Sequence, residues 1–382
     1  MKHIREEINI LEGLLTPSLN FELLDKFFID GSFLYDIETT GFSANYSSLY
    51  LIGFAHRVKD TLIIEQLFAE TPSDEANLIK EFVKILSSNS AMTNLISFNG
   101  EAFDMNFLKK KCSQLDLAFE MNFLDNCKSI DIYKIIFKEK KIFQLENYKQ
   151  KTIEKFLGID RDDLYSGGDL IQIYKNYVEK PTQEALDLLL LHNHDDVLGL
   201  FKLLSILSYL LFFKGNVSLN KIQQNVFKDI NGEDKIELLF TLNNLFKVPK
   251  PLSFASPNTE GIYFKLGCDQ TIIRIPLFCG ILKHFYKDYK NYYYLPAEDY
   301  AIHKSLSTYI DKDYRTQATA SNCYTKKASV FLPQYSEFIE PQFKLDYKNK
   351  ISYFLCTPDF LESDEKVLEY LKYIISLQLN SN

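Results

Sequence analysis

The chain has 382 residues, 46% of them hydrophobic, 14% aromatic and 25% charged, with a formal net charge of −8. That balance excludes a disordered chain, and the acidic total excludes capture of polyanions by overall charge, so any contact with nucleic acid has to run through local basic patches or metal ions. The length is generous for one core and favours two domains.

The opening residues, Met1-Lys2-His3-Ile4-Arg5-Glu6, place charges where a secretory signal needs an apolar stretch, so export is not expected. Six cysteines form no C-x-x-C pair or other zinc spacing, which fits reduced thiols in the cytoplasm. Ile4, Ile8, Leu11 and Leu15 recur at helical spacing before a break at Pro17 and Asn20, and predict a helical extension over residues 1–30.

Phe33-Leu34-Tyr35-Asp36-Ile37-Glu38-Thr39-Thr40-Gly41 follows, an apolar run that ends in two carboxylates and a glycine turn. Read as a strand, it puts Asp36 and Glu38 on one face, about 7 Å apart. Like charges at that distance repel, and a hard divalent cation resolves the repulsion more naturally than hydrogen bonds alone. An exposed strand end with two solvated acids is the plainer alternative. Leu49 to Ala55 and Thr61 to Phe68 predict two more strands and an antiparallel meander, and Ser73-Asp74-Glu75 opens a helix with Leu78, Phe82, Ile85 and Leu86 as its buried stripe.

Asn94 to Phe98 predicts a short strand, Asn99-Gly100 a turn, and Glu101 to Gln114 a helix with Asp104 in its first turns. An acid there is also favoured by the helix dipole for structural reasons alone. Lys109, Lys110 and Lys111 offer either phosphate contacts or a solvated helix face. From Ser129 to Lys180 the pattern is mostly helical, interrupted by a turn at Tyr165-Ser166-Gly167-Gly168. Pro181-Thr182 opens a helix in which His192 and Asp196 are four apart and share a face, while Asp195 points elsewhere and is the runner-up to Asp196 as a ligand, and His194 lies on the opposite side. The apolar run Val197 to Phe213 continues that helix and carries Lys202, so it is read as core, not as a membrane span.

Three of these segments together, Asp36-Ile37-Glu38-Thr39-Thr40-Gly41, Ser97-Phe98-Asn99-Gly100-Glu101-Ala102-Phe103-Asp104 and His192-Asn193-His194-Asp195-Asp196, resemble the ordered motifs of the DEDD exonucleases, and look most like the YprB-type ribonuclease H-like domain. The resemblance covers about residues 31–214. It implies an α/β fold with a five-stranded mixed sheet flanked by helices, and removal of nucleotides one at a time from a 3′ end. Carried over residue by residue, it implies that Asp36, Glu38, Asp104 and Asp196 hold two Mg2+ or Mn2+ ions and that His192 orients or deprotonates the attacking water. This sequence departs from the family pattern in one respect: a histidine stands four positions before the last Asp, where the tyrosine subclass has its tyrosine, and the histidine subclass uses five. The expected partner is a single-stranded DNA or RNA end, with no membrane and no organic cofactor. The alternatives are a nuclease-fold binding or scaffold protein whose chemistry has lapsed, and a structural calcium site.

Beyond Gly215 the texture turns to short strand-like runs, predicting a β-rich domain over 215–382 that guides substrate. Between Lys283 and Lys327 eight Lys or Arg face five acids, a net of +3, with nine tyrosines interleaved. Aromatic rings stack on bases and cations meet phosphates, although tyrosines also fill small β cores. The expected substrate contacts are Lys304, Arg315 and Lys326 from this stretch, with Thr39 and Asn99 beside the acids.

Overall fold

The computed structural model describes residues 1–89, 94–159, 167–228 and 231–379. The described residues divide into two compact units, the first within residues 1–211 with 246–250, the second within residues 212–245 with 251–379.

The first unit is built on a six-stranded mixed sheet of β1 (Lys2–Asn9), β2 (Ser32–Thr39), β3 (Leu49–Val58), β4 (Thr61–Phe68), β5 (Asn94–Ser97) and β6 (Lys128–Asp131), in the order β1-β4-β3-β2-β5-β6. The first four are antiparallel neighbours, while β5 runs parallel to both β2 and β6. The helices are α1 (Phe21–Phe27), α2 (Glu75–Asn89), α3 (Asp104–Gln114), α4 (Ala118–Asn126), α5 (Ile132–Lys138), α6 (Lys140–Phe143), α7 (Gln150–Leu157), α8 (Gly167–Glu179) and α9 (Gln183–Leu203), and α10 (Leu207–Phe213) spans the division between the units.

Two packing layers follow from strand alternation. Phe82 of α2 meets Tyr35 and Phe54 on one face of the sheet. The other face, which carries Asp36 and Gln66, is covered by α9. Phe33, Tyr35, Ile52, Phe54 and Phe82 are at most 2% exposed, and each such side chain contributes about 1.5–3 kcal/mol of burial. α9 begins as its sequence predicts, with the Thr182 hydroxyl accepting from the Ala185 N–H. The helical stretch Gln183–Phe213 is long and apolar enough to cross a membrane by length and composition, but 78% of its most apolar window is buried within the protein.

The structure corrects three expectations. Residues 2–9 form strand β1 instead of a helix, because Ile4 and Ile8 fit the two-residue period of a strand as well as the helical one, and β4 offers an edge to pair with. That strand makes the sheet six-stranded, not five-stranded. The segment taken as helical from Ser129 begins in β6, too short and polar to signal a strand, yet fixed by parallel pairing to β5. Of the predicted glycine turn, Tyr165 and Ser166 lie outside the described residues, and Gly167 begins α8.

The second unit holds β7 (Val217–Lys228), β8 (Asp234–Asn244), β9 (Leu252–Ala255), β10 (Tyr263–Leu266), β11 (Gln270–Pro276), β12 (Phe278–Phe285), β13 (Tyr292–Leu295), β14 (Tyr300–His303), β15 (Thr316–Gln317), β16 (Tyr324–Gln334) and β17 (Ser352–Leu355), with α11 (Pro358–Leu361) and α12 (Asp364–Ser376). They form one five-stranded sheet, β7-β8-β11-β10-β9, and two three-stranded sheets, β12-β16-β17 and β14-β13-β15. α12 packs against β7. The six cysteines are free thiols.

Candidate functional site

The acids lie where the sheet opens. Along β2 the residues from Ser32 to Tyr35 are buried, and Asp36, Glu38 and Thr39 are half-buried as the strand nears its carboxyl end. Asp104 sits at the start of α3, which follows β5, the parallel neighbour of β2. Ligand sites in open α/β sheets recur at the carboxyl ends of strands, where loops rather than layers cover the backbone.

From the other side, α9 delivers His192 and Asp196 to the same place. His192 Nε2 lies 3.2 Å from Asp196 Oδ2 and 3.5 Å from Glu38 Oε1. One ligand atom from each of Glu38, His192 and Asp196 falls within 4.8 Å of the others, close enough to share a cation. The site also gathers Asp36 and Asp104. The Ile37 N–H donates to Asp104 Oδ1 at 3.3 Å, which ties α3 to the backbone between the two β2 acids. Burial, and then the negative charges of Asp196, Asp104 and Glu38, push the Asp36 carboxyl well above the ordinary carboxylate range. Asp104 rises to about 7, chiefly through burial with added repulsion from Asp131 and Asp196, against backbone hydrogen bonds that lower it.

Such a concentration of carboxylates repels itself, and a divalent cation relieves that repulsion. The donor set, oxygen-rich with one imidazole, suits a hard ion such as Mg2+ or Mn2+ better than a thiolate-seeking one.

Three residues that the sequence did not single out organise this floor. Asp36, Gly53 and Gln66 form a row across β2, β3 and β4. Fully buried Asn193 of α9 lies over Gly53, donates from Nδ2 to Asp36 Oδ2 at 3.2 Å, and accepts from Gln66 Nε2 at 3.0 Å. Gln66 Nε2 also donates to the Leu190 carbonyl at 2.8 Å. A Cβ on Gly53 would overlap the Asn193 side chain, so the glycine sets how closely α9 approaches the sheet. The signal for it was visible as a lone glycine amid Leu49-Tyr50-Leu51-Ile52. The fourth unforeseen neighbour is Tyr50, stacked on Tyr174 at 4.2 Å, whose phenol is pushed up by burial and by the charges of Glu38 and Asp36.

The remaining predicted residues are placed as follows. Asp195 pairs loosely with His194, Oδ1 to Nδ1 at 3.6 Å, and His194 Nε2 lies 3.0 Å from Glu6 Oε2, which gives that histidine a packing role on the far side. Thr39 donates its hydroxyl to the Gly41 carbonyl at 2.9 Å and fixes the turn after β2. Asn99 takes the left-handed conformation, φ 62°, with its N–H on Asp131 Oδ1 at 2.9 Å. Lys111 is not a phosphate contact: it is buried and ion-paired with Glu75 at 2.9 Å, and Lys109 pairs with Asp125 at 2.7 Å.

In the second unit, Lys326 is paired with Asp299, which also accepts from the hydroxyls of Tyr294 and Tyr324. Lys304 and Arg315 both lie over the Tyr293 ring, at 5.2 and 4.7 Å, and Arg315 donates to the Ser307 carbonyl. Four tyrosines of the basic stretch, Tyr286, Tyr289, Tyr292 and Tyr294, pack on a small core of Ala301, Ala318 and Cys323.

Comparison with known proteins gives three kinds of similarity. A Bacillus subtilis (strain 168) protein described as uncharacterized protein YprB is 25% identical over 175 residues, 45% of this chain, and the match spans 40% of that relative's length. Among solved structures, E. coli exonuclease I in complex with a dT13 oligonucleotide is 9% identical with a TM-score of 0.33, covering 56% of this chain and 55% of that one. The zinc-ion form of the E. coli exonuclease I complex with single-stranded DNA is 9% identical with a TM-score of 0.26, covering 92% and 74%. A family model described as RNase_H superfamily matches residues 33–208, which contain β2 to β6, α9 and every acid of the site. Residues 33–208 are therefore a ribonuclease H-like domain of the RNase H superfamily.

Proposed function

We propose that this protein is a divalent-metal-dependent nuclease that hydrolyses phosphodiester bonds and acts as a 3′ to 5′ exonuclease on single-stranded nucleic acid ends. The observation that carries the reading is the convergence of Glu38 from β2 with His192 and Asp196 from α9, their donor atoms within 4.8 Å, beside Asp36 and Asp104.

In this reading Asp36, Glu38, Asp104 and Asp196 would hold two Mg2+ or Mn2+ ions, which when bound would lower the pKa of the attacking water and stabilise charge on the departing oxygen. The chain's own groups do the rest. Asn193 holds one oxygen of Asp36 by a hydrogen bond. The Ile37 N–H does the same for Asp104. His192, poised between Glu38 and Asp196, is assigned to accept the proton of the attacking water, a task suited to an imidazole. Tyr50 is fully buried beside Glu38 and Asp36 and packs on Tyr174. Thr39 at the end of β2 and Asn99 in the turn after β5 are assigned contacts to the substrate.

The proximity of His192 Nε2 to both carboxylates also supports a second role for it, as a metal ligand itself. His192→Gln separates the two: loss of rate with unchanged manganese affinity marks the base, and loss of affinity marks the ligand.

The test is incubation of the protein with end-labelled single-stranded DNA and RNA, with manganese or with chelator. Stepwise shortening from the 3′ end with metal only is expected. Asp36→Asn and Asp196→Asn should each lose at least about a thousandfold in rate, since each tenfold loss is about 1.4 kcal/mol of transition-state stabilisation. Binding without shortening would replace this reading with that of a lapsed nuclease. Equal activity in chelator, or in Asp36→Asn, would overturn it.

A further inference from the structure

The second unit contains a cavity of about 310 Å³ that the catalytic reading leaves without a task. Its wall joins β12, the segment after it and the strand-like stretch around residue 344, with Phe285, Tyr286, Tyr289 and Tyr347 as the aromatic lining and Lys287 and Lys344 as the cations. The volume is at the lower end of the range that takes a small organic ligand.

The lining has two properties at once. Its rings are held in place: Tyr286 stacks on Tyr292 with centroids 4.6 Å apart and planes 17° apart, and Tyr347 meets Phe285 edge-on at 5.5 Å. Yet Tyr347 remains 44% exposed, an unusual cost for a large ring whose neighbours could have covered it. The charges are unbalanced. Lys287 is neutralised by Glu337 at 3.3 Å, whereas the Lys344 ammonium has no ion-pair partner among the described residues, so the cavity keeps one positive charge. Lys344 is fixed by its backbone, which exchanges both hydrogen bonds with Lys283 across from β12. Gln342 adds an amide to the lining. Rigid π faces, a lone ammonium and an amide in one small cavity match a flat heteroaromatic ring that carries an anion.

We infer that this cavity takes one nucleotide of a single-stranded nucleic acid, its base against the tyrosine rings and its phosphate at Lys344. The choice of a strand over a free nucleotide rests on the nuclease reading, and the chemistry of base and phosphate does not. Stacking on an aromatic ring tolerates every base, so the cavity grips a strand without reading its sequence.

The experiment measures binding by the full chain in chelator, where hydrolysis is absent, using fluorescence anisotropy of short labelled oligothymidylate and oligouridylate. Tyr347→Ala and Lys344→Glu are each expected to weaken binding about tenfold, while Tyr347→Phe, which keeps the π face, retains the wild-type affinity. Lys344→Glu should also lower the slope of log affinity against log salt by about one. An abasic sugar-phosphate oligomer should bind more weakly than oligothymidylate and be indifferent to Tyr347→Ala. Unchanged oligonucleotide affinity in both variants overturns the inference, as does thymidine monophosphate binding as tightly as the strand. Absence of strand binding by the wild-type chain overturns it too. Failure of the catalytic reading is separate: a chain that binds through Tyr347 and Lys344 but cuts nothing with manganese keeps this site and loses the nuclease.

Discussion

The side-chain amide of Asn193 bridges Asp36 on β2 and Gln66 on β4, donating to the first at 3.2 Å and accepting from the second at 3.0 Å. The helix that brings His192 and Asp196 is thereby registered to the strand that brings Asp36 and Glu38. Asn193→Ala removes the hydrogen bond to Asp36 without altering any candidate ligand. The expected outcome is a loss of about 10- to 100-fold in metal affinity or rate, as for partners that orient ligands elsewhere. Manganese titration followed by the single-strand assay checks it; wild-type behaviour in both would strip Asn193 of an orienting role.

Gly53 is the structural counterpart of that bridge. Gly53→Ala forces its new methyl into Asn193, and overpacking of this kind costs about 1–3 kcal/mol. Urea unfolding should show that loss. In Gly53→Ala/Asn193→Ala the clash is gone, so the double variant should be more stable than the sum of the single effects predicts, by an amount a double-mutant cycle reads directly.

Stability of the metal-free protein should fall as pH rises from about 4 to 7. The Asp104 carboxyl goes from 3.8 to about 7 on folding, and Asp36 moves the same way. Below the unfolded value both states hold the proton and nothing is lost. Above it the unfolded chain releases the proton first, so unfolding gains free energy until the folded carboxyl also ionises near 7. Melting temperatures in chelator should therefore be lower at pH 8 than at pH 5, Asp104→Asn should raise the value at pH 8, and saturating magnesium or manganese should flatten the dependence. A chelated protein with the same melting temperature across that window would contradict the electrostatic account.

The buried pair of Lys111 and Glu75 makes a different demand. Glu75 also accepts from the Leu49 N–H at the start of β3, so it anchors the strand as well as the cation. Lys111→Ala strands a buried carboxylate and should cost about 3–5 kcal/mol, whereas replacing both partners by Glu75→Gln with Lys111→Met should restore most of it. Chemical denaturation of the three chains distinguishes these outcomes, and equal stability of Lys111→Ala and wild type would show the pair to be dispensable.

How much of this was legible beforehand depended on the range of the interaction. Asp36 and Glu38 share a face because strand periodicity is local, and His192 and Asp196 do so because helix periodicity is local, so both pairs could be read from spacing. That the two faces meet was available only through the resemblance of the three motifs. Asn193 and Gln66 have no local signature, and Gly53 shows only as a lone glycine in a strand, since their roles exist only when β2, β3, β4 and α9 are assembled. Residues 2–9 were misread for the opposite reason: a spacing of four satisfies two periods, and only the free edge of β4 decides between them. The short strand β6 was invisible because a parallel partner, not its own side chains, stabilises it. Lys111 looked like one of three solvated lysines until tertiary packing buried it.

β1 has a further effect through what it presents outward. It occupies the hydrogen-bonding side of β4 and ends the sheet with Lys2, Arg5, Glu6 and Glu7, so its outer rim is charged where β4 alone would offer Leu62 and Ile64 in a bare ladder. Charged rims discourage edge-to-edge adhesion. The first nine residues thus serve as a selvage: trimming them would leave the chemistry intact in principle and convert a self-contained sheet into one that seeks a neighbour.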